Sequence, residues 1–180
     1  MSRVLILATA GAASLILLAA SLDRATAAVR TTRASAVKPV AAKAAAIERG
    51  KYLIMTSGCN DCHTPGFNES GGKVPVQDWL VGSPVGWRGP WGTSYPINLR
   101  NFINNFTERE WIKNAQTLQG APPMPWWSLH AMKREDLAAI YAFVKDLGPK
   151  GEAMPAYLPP HIEPKPPYLQ LDVVLPKELK

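Results

Sequence analysis

The segment SGCNDCHTPG, residues 57–66, holds both cysteines of the 180-residue chain and one of its three histidines. Cys59 and Cys62 stand three positions apart, and His63 follows the second directly. Four chemistries use thiols at this spacing: a dithiol redox pair, half of a zinc site, a structural disulfide, and covalent attachment of haem. Zinc takes about four ligands, mostly Cys or His. The other histidines, His130 and His161, lie far apart and form no histidine pair at zinc-ligand spacing. A thioredoxin-like pair sits at a helix N-terminus within a βαβ pattern, and the chain reads as helix and coil without such a unit. A bridge across two intervening residues closes too short a loop to remove much unfolded-chain entropy. Haem attachment uses all three residues together. Each thiol forms a thioether with one vinyl group, and the turn between them brings the imidazole beneath the iron as proximal ligand.

An electron-transfer haem also takes a second axial ligand, usually methionine or histidine. Met124 is the best placed, 61 residues after His63 (124 − 63), in Pro122-Pro123-Met124-Pro125, where the prolines restrict the loop and aim the thioether. Its alternative role is to fill a gap in the core. Met55 lies on the segment leading into the motif, too close to reach the other haem face. Met132 falls near the start of the last helix, where core packing accounts for it. Met154 and His161 belong to a proline-rich tail, and His130 reads as a surface or capping group.

The elements that must position these residues surround the motif. The stretch AAAIERGKYLIMTSG reads as a helix from about Ala44 to Gly58, with Ala46, Gly50, Leu53 and Ser57 along one side. Glycine inside a helix costs about 1 kcal/mol against alanine, so Gly50 marks a place where another helix comes close. Residues 64–106 show little periodicity and much Gly, Pro and Trp, which fits a long loop that wraps a site. Thr107-Glu108-Arg109-Glu110 fits a capping box opening a short helix through about Leu118. Leu137, Ile140, Tyr141, Val144 and Leu147 mark the clearest helix, stopped by Gly148 and Pro149. Beyond it, 8 of the 17 prolines lie in the final 32 residues, so the tail is extended. Tyr157, Leu158, Tyr168, Leu169 and Leu171 give it apolar handles for packing back on the domain.

At the other end, an apolar run from Val4 to Leu22 follows Arg3 and precedes Ala25-Thr26-Ala27, the small-x-small pattern of a signal-peptidase site. The expected organisation is a signal peptide at 1–27, a flexible Ala-rich linker at 28–43, a haem domain at 44–149 and a Pro-rich tail at 150–180. Export places the domain in the periplasm, where c-type haem is attached, with membrane contact if the N-terminus is retained as an anchor. The formal net charge is +6. Removing residues 1–27 takes away two arginines and one aspartate and leaves +5. The lysines and arginines are scattered and form no basic block interleaved with aromatics, which argues against nucleic acid as a partner.

GKYLIMTSGCNDCHTPG, GPWGTSYPINL and MPWWSLHAMKREDLAAIYAFVKDLGP, in that order, resemble a class I c-type cytochrome. They are most similar to the monohaem domains in the cytochrome subunits of bacterial periplasmic dehydrogenases. The resemblance covers about residues 46–149. It implies an all-α cytochrome c fold, with helices and long irregular loops around one covalent haem c held through Cys59 and Cys62. Its first and last helices would cross at Gly50, with Leu53 beside it and Tyr141 opposite. It implies that the Pro90 carbonyl accepts from the second nitrogen of His63, and that Tyr95 and Asn98 are polar groups near the haem edge. Arg88, Arg100 and a tryptophan are its candidates for pairing with propionates. Two features depart from the dehydrogenase-subunit pattern. There is a single haem motif, and NLRNFINNF replaces an acidic stretch.

The expected function is that of a periplasmic single-electron carrier, or an electron-transfer subunit, with His63 and Met124 as iron ligands. It would take electrons from a periplasmic dehydrogenase and pass them to another cytochrome or a terminal oxidase. With both axial positions filled, the protein would not be an enzyme. The rival is a haem sensor or peroxidase-like protein whose sixth ligand is open or labile. A third reading makes the tail chiefly a docking surface.

Overall fold

The computed structural model describes residues 40–172. The expected signal peptide, residues 28–39 of the expected linker and residues 173–180 of the expected tail lie outside that range. Helix α1 covers residues 40–56, so it starts before Ala44. Alanine is the strongest helix former, and Ala41, Ala42, Ala44, Ala45 and Ala46 carry the helix into the stretch whose lack of apolar period suggests a tether. Gly58, at φ 69°, turns the chain into helix α2 (Cys59–His63). A 3-10 turn follows at Val76–Asp78, then a hairpin of β1 (Gly86–Gly89) and β2 (Gly92–Ser94). These strands are too short for the period-2 alternation that marks a strand in sequence. The expected all-helical scaffold therefore carries a small sheet as well.

Helix α3 (Leu99–Asn104) interrupts the expected long loop and is capped by the Asn98 side chain, which accepts from the Asn101 amide at 3.0 Å. Helix α4 (Glu108–Thr117) opens on the expected capping box, in which Thr107 and Glu110 each bond the other's backbone amide. Helix α5 (Trp126–Ala131) is short, and α6 (Arg134–Leu147) ends at Gly148 as the sequence suggests. The tail returns to the domain. Leu158 exchanges both backbone bonds with Thr93 (2.8 and 2.9 Å), and strand β3 (Tyr168–Gln170) adds to β1 in parallel, giving the order β2-β1-β3. Among the described residues no helix is long and apolar enough to cross a membrane.

The core forms around α6, whose Leu137, Ile140 and Val144 are fully buried, with α3 and α4 packed on it. Trp79 stands edge-on to both Phe67 and Phe143, at ring-centroid distances of 5.8 and 6.2 Å. The Trp111 indole N–H donates to the Leu137 carbonyl at 3.0 Å and ties α4 to α6. Gly50 does mark a close approach between α1 and α6. A Cβ there would lie 2.0 Å from the Ala139 carbonyl oxygen and 2.7 Å from Phe143 Cβ. Tyr141, however, does not face it. Asp136, Ala139 and Phe143 share the face of α6 turned to α1, and Arg49 pairs with Asp136 across the crossing at 3.0 Å. Tyr141 points elsewhere and donates to the Phe106 carbonyl at 2.9 Å.

Arg100 is a second correction. It is 4 % exposed and its guanidinium bonds three backbone carbonyls: Gln77 at 2.7 Å, Gly148 at 2.5 Å and Leu147. It closes the C-terminus of α6, where the unpaired carbonyls and the helix dipole favour a cation. Each of its three nitrogens thus has a backbone carbonyl as partner. Arg88 pairs with Glu163 and lies 5.8 Å from the Tyr168 ring centroid, so it binds the tail to the hairpin.

Candidate functional site

In α2 the three motif residues stand at i, i+3 and i+4, which puts them on one side of a helix. Cys59, Cys62 and His63 accordingly line a single cavity of about 490 Å³. Both cysteines are free thiols. Burial pushes Cys59 up to about 11 and also raises Cys62, with Asp61 adding to both shifts. A dithiol redox pair has a thiol whose value is depressed, and burial pushes both of these in the other direction. His130 and His161 are not in the lining. His130 bonds the Leu118 carbonyl at 2.9 Å and lies 5.0 Å from the Trp126 ring, while His161 is exposed on the tail.

His63 is buried and held at both ends. Its backbone carbonyl accepts from the Gly82 amide at 2.9 Å, and its Nδ1 donates to the Ile97 carbonyl at 2.7 Å. Burial lowers its basicity, and the bond to Ile97 offsets part of that effect. The ring is therefore neutral, with the Nε2 lone pair free for a metal. A carbonyl on the other ring nitrogen fixes the orientation of a ligating histidine. The resemblance assigns this role to the Pro90 carbonyl. Pro90 is instead an exposed residue in the turn joining β1 to β2. The hairpin turns it outward, and the returning strand brings Tyr95, Pro96 and Ile97 past the cavity.

Tyr95 lines the cavity and Asn98 does not. Besides capping α3, the Asn98 carboxamide donates to the carbonyls of Lys150 and Glu152 at 2.7 and 3.0 Å, so it holds the start of the tail. Three methionines are in the lining: Met124, Met132 and Met154. A Cβ at Gly82 would meet Met154 Cγ at 2.5 Å and the Ile97 carbonyl carbon at 2.9 Å. Met154 therefore belongs to the same wall as His63. Met124 comes from the loop between α4 and α5, beside Gly120 and Trp126. That loop is braced by its prolines, by a 2.5 Å bond from the Ser94 hydroxyl to the Pro122 carbonyl, and by the Trp126 amide donating to Met124 at 3.0 Å. Met132 sits at the C-terminus of α5.

Most of the remaining lining is apolar, with Ile54, Phe102, Trp111, Leu129 and Ile140 among it. Asn114 of α4 also contributes, and its Oδ1 is buried without a hydrogen-bond partner among the described residues. An orphaned acceptor of this kind costs about 1–3 kcal/mol. A large apolar cavity holding such an atom, two free thiols and an imidazole nitrogen fits a bulky planar apolar group carrying a metal. Ile97 could not have been picked out from sequence, because it acts through its backbone carbonyl. Asn114 and Met154–Tyr157 carry no motif either. Only the apolar handles of the tail signal its return.

A family model described as Cytochrome c matches residues 47–148. Among curated proteins, the chain is similar to the fructose dehydrogenase cytochrome subunit of Gluconobacter japonicus. The two are 27 % identical over 112 residues, which cover 59 % of this chain and 22 % of that protein. The match thus spans about a fifth of the relative's length. No solved structure matches.

Proposed function

The chain belongs to the cytochrome c family of electron-transfer haem proteins, and from that premise we propose that it is a periplasmic monohaem carrier with His63 and Met124 as axial ligands. The observation that carries this reading is the shared wall of Cys59, Cys62 and His63, with the imidazole already oriented by the Ile97 carbonyl. Haem c, when bound, supplies a one-electron couple between ferrous and ferric iron. Cys59 and Cys62 would hold it through two thioethers. His63 would present Nε2 to the metal, and the bond from Nδ1 to Ile97 keeps the ring from rotating. The braced loop at 118–125 would hold the Met124 thioether. The apolar residues exclude water, which favours the less charged ferrous state and raises the potential.

The relative is, by its name, the cytochrome subunit of a dehydrogenase. We read the present chain as accepting electrons from a periplasmic dehydrogenase and passing them to another cytochrome or a terminal oxidase. If His63 and Met124 both hold the metal, no position on it would remain for substrate, so the protein would carry electrons without catalysing a reaction.

The test begins with the mature protein, which should be heavier by one haem that acid-acetone does not extract. Ferric protein should show the weak absorption band of a methionine–iron bond near the red end of the visible spectrum. Met124→Ala should keep the haem, lose that band, lower the potential and bind carbon monoxide when reduced. Met132→Ala should keep the band. Exchange of the two phenotypes would move the ligand to Met132. A wild-type protein with no band and rapid carbon monoxide binding would instead make the chain a sensor or peroxidase-like protein.

A further inference from the structure

Residues 150–171 lie beyond the family match at 47–148, yet Met154, Pro155, Ala156 and Tyr157 line the same cavity as His63. We propose that this tail is part of the cofactor site. It would position the carbonyl that orients His63 and shield that edge from water, so that domain and tail set the redox potential together. The inference rests on the haem reading above.

Three sets of contacts carry it. The first is the clasp at the tail's start, where Asn98 donates to Lys150 and Glu152, and the Asn101 carboxamide donates to the Gly151 carbonyl at 2.9 Å. The second is the packing of Met154. It occupies the space that a side chain at Gly82 would need, against the peptide joining Ile97 to Asn98. Gly82 and Ile97 are the two residues whose backbones hold His63, one at its carbonyl and one at its ring. Met154 thus sits directly behind the groups that fix the imidazole. The third is the pairing of Leu158 with Thr93 and of β3 with β1, which keeps the intervening segment in place. A Cβ at Gly92 would lie 2.2 Å from the Leu158 carbonyl oxygen, so the hairpin is built to receive the tail. The Tyr157 hydroxyl adds a bond to the Trp91 carbonyl.

A displaced tail would admit water to one edge of the cavity and loosen the support of Ile97. Water at that edge stabilises the more charged ferric state and outweighs the smaller opposing effect of a weaker bond to Ile97, which makes His63 less basic, so the potential should fall. The experiment uses the full-length holoprotein. Leu158→Pro removes the N–H that bonds Thr93 and leaves every residue before 150 unchanged. Met154→Ala removes the contact at Gly82. Leu169→Ala, at an exposed position on β3, is the control. Midpoint potential is measured by spectroelectrochemistry, and tail release by the rate of chymotryptic cleavage after Tyr168, which β3 holds in the sheet. Leu158→Pro should be cut at least tenfold faster than wild type. Both Leu158→Pro and Met154→Ala should keep covalent haem and shift the potential downward, whereas Leu169→Ala should not shift it. A Leu158→Pro protein that is cut faster but keeps the wild-type potential overturns the proposal. If Leu158→Pro does not fold or does not release the tail, an unchanged potential in Met154→Ala overturns it equally. Wild type lacking covalent haem would refute the functional reading itself, which is a separate and visible result.

Discussion

Replacing Gly50 with alanine tests the packing of α1 on α6 through the sign of its effect. By helix propensity alone the change should stabilise the protein by about 1 kcal/mol, and loss of backbone freedom in the unfolded chain acts in the same direction. The structure requires the opposite. The new Cβ would lie 2.0 Å from the Ala139 carbonyl oxygen, 2.7 Å from the Ala139 carbonyl carbon and 2.7 Å from Phe143 Cβ. Ordinary contact is about 3.5–4.0 Å, so the helices must separate by more than an ångström. Overpacking of this kind costs about 1–3 kcal/mol and occasionally more. The obstacle here is a backbone carbonyl, which has no rotamer to escape into. Separation also thins the contacts of Leu53 and Ile54, both buried in the core, and a gap of 0.5–1 Å forfeits about a quarter to a half of each dispersion well. With the cost at its upper end of about 3 kcal/mol because the carbonyl cannot move aside, less a propensity gain of about 1 kcal/mol, Gly50→Ala should destabilise by about 2 kcal/mol. Urea unfolding of the holoprotein followed by far-UV circular dichroism measures it, with the midpoint lowered and the slope unchanged. A midpoint equal to or above wild type would show that the helices do not meet at Gly50 and would refute the argument.

Arg100→Leu keeps apolar bulk but strands the carbonyls of Gln77, Leu147 and Gly148. It should cost about 3 kcal/mol in the same assay, and Arg100→Lys should restore only part of that because one ammonium cannot span three acceptors. Thr107→Ala removes the cap of α4 and should cost about 1 kcal/mol, read as a lower thermal midpoint with the visible spectrum unchanged. Glu110 is held below its ordinary value of 4.5 by its bonds to the Thr107 hydroxyl and amide. A lowered folded value means stability that is present above pH 4.5 and lost as pH falls through the folded value. Glu110→Gln should therefore flatten the acid limb of a melting-temperature profile measured between pH 6 and pH 3.

The elements legible in the sequence are those with a local signature. The capping box at Thr107 and the apolar period and stop signals of α6 depend on neighbours within one or two turns. The same holds for Cys59, Cys62 and His63, which share a cavity wall because their spacing matches one helix face. The close approach at Gly50 was legible as a cost without a local explanation, but its partner was not. Whether Tyr141 or Ala139 faces Gly50 is decided by the rotation of α6, and that follows from its packing on α3 and α4. The errors at Pro90, Asn98 and Arg100 have one cause. Pro90 is expected to offer its carbonyl to His63, and Asn98 and Arg100 to stand near a cofactor, whereas the fold brings the carbonyls of Ile97, of Lys150 and Glu152, and of Gln77, Leu147 and Gly148 to the hydrogen-bonding side chains of His63, Asn98 and Arg100 instead. Such acceptors exist at every residue and leave no mark on composition. Helix α3 was hidden because six residues are too few for a period, and β1 and β2 are shorter still.

The return of the tail also has a consequence for the order in which the protein is completed. Trp87 of β1 pairs with Leu169 of β3, 82 positions later (169 − 87), and this contact is parallel. Parallel pairing at such separation is slow, because the intervening chain must be closed before the contact gives any return. The crossing of α1 and α6 closes a loop of similar length, since Gly50 meets Ala139 89 positions later (139 − 50). That crossing is complete within residues 40–147, whereas the sheet also needs residues 168–170, which synthesis delivers later. Until Leu158 reaches Thr93, the cavity lacks the wall built from Met154–Tyr157. A chain whose tail has not yet docked therefore presents the motif with one side open to a large planar group, and docking shuts that side.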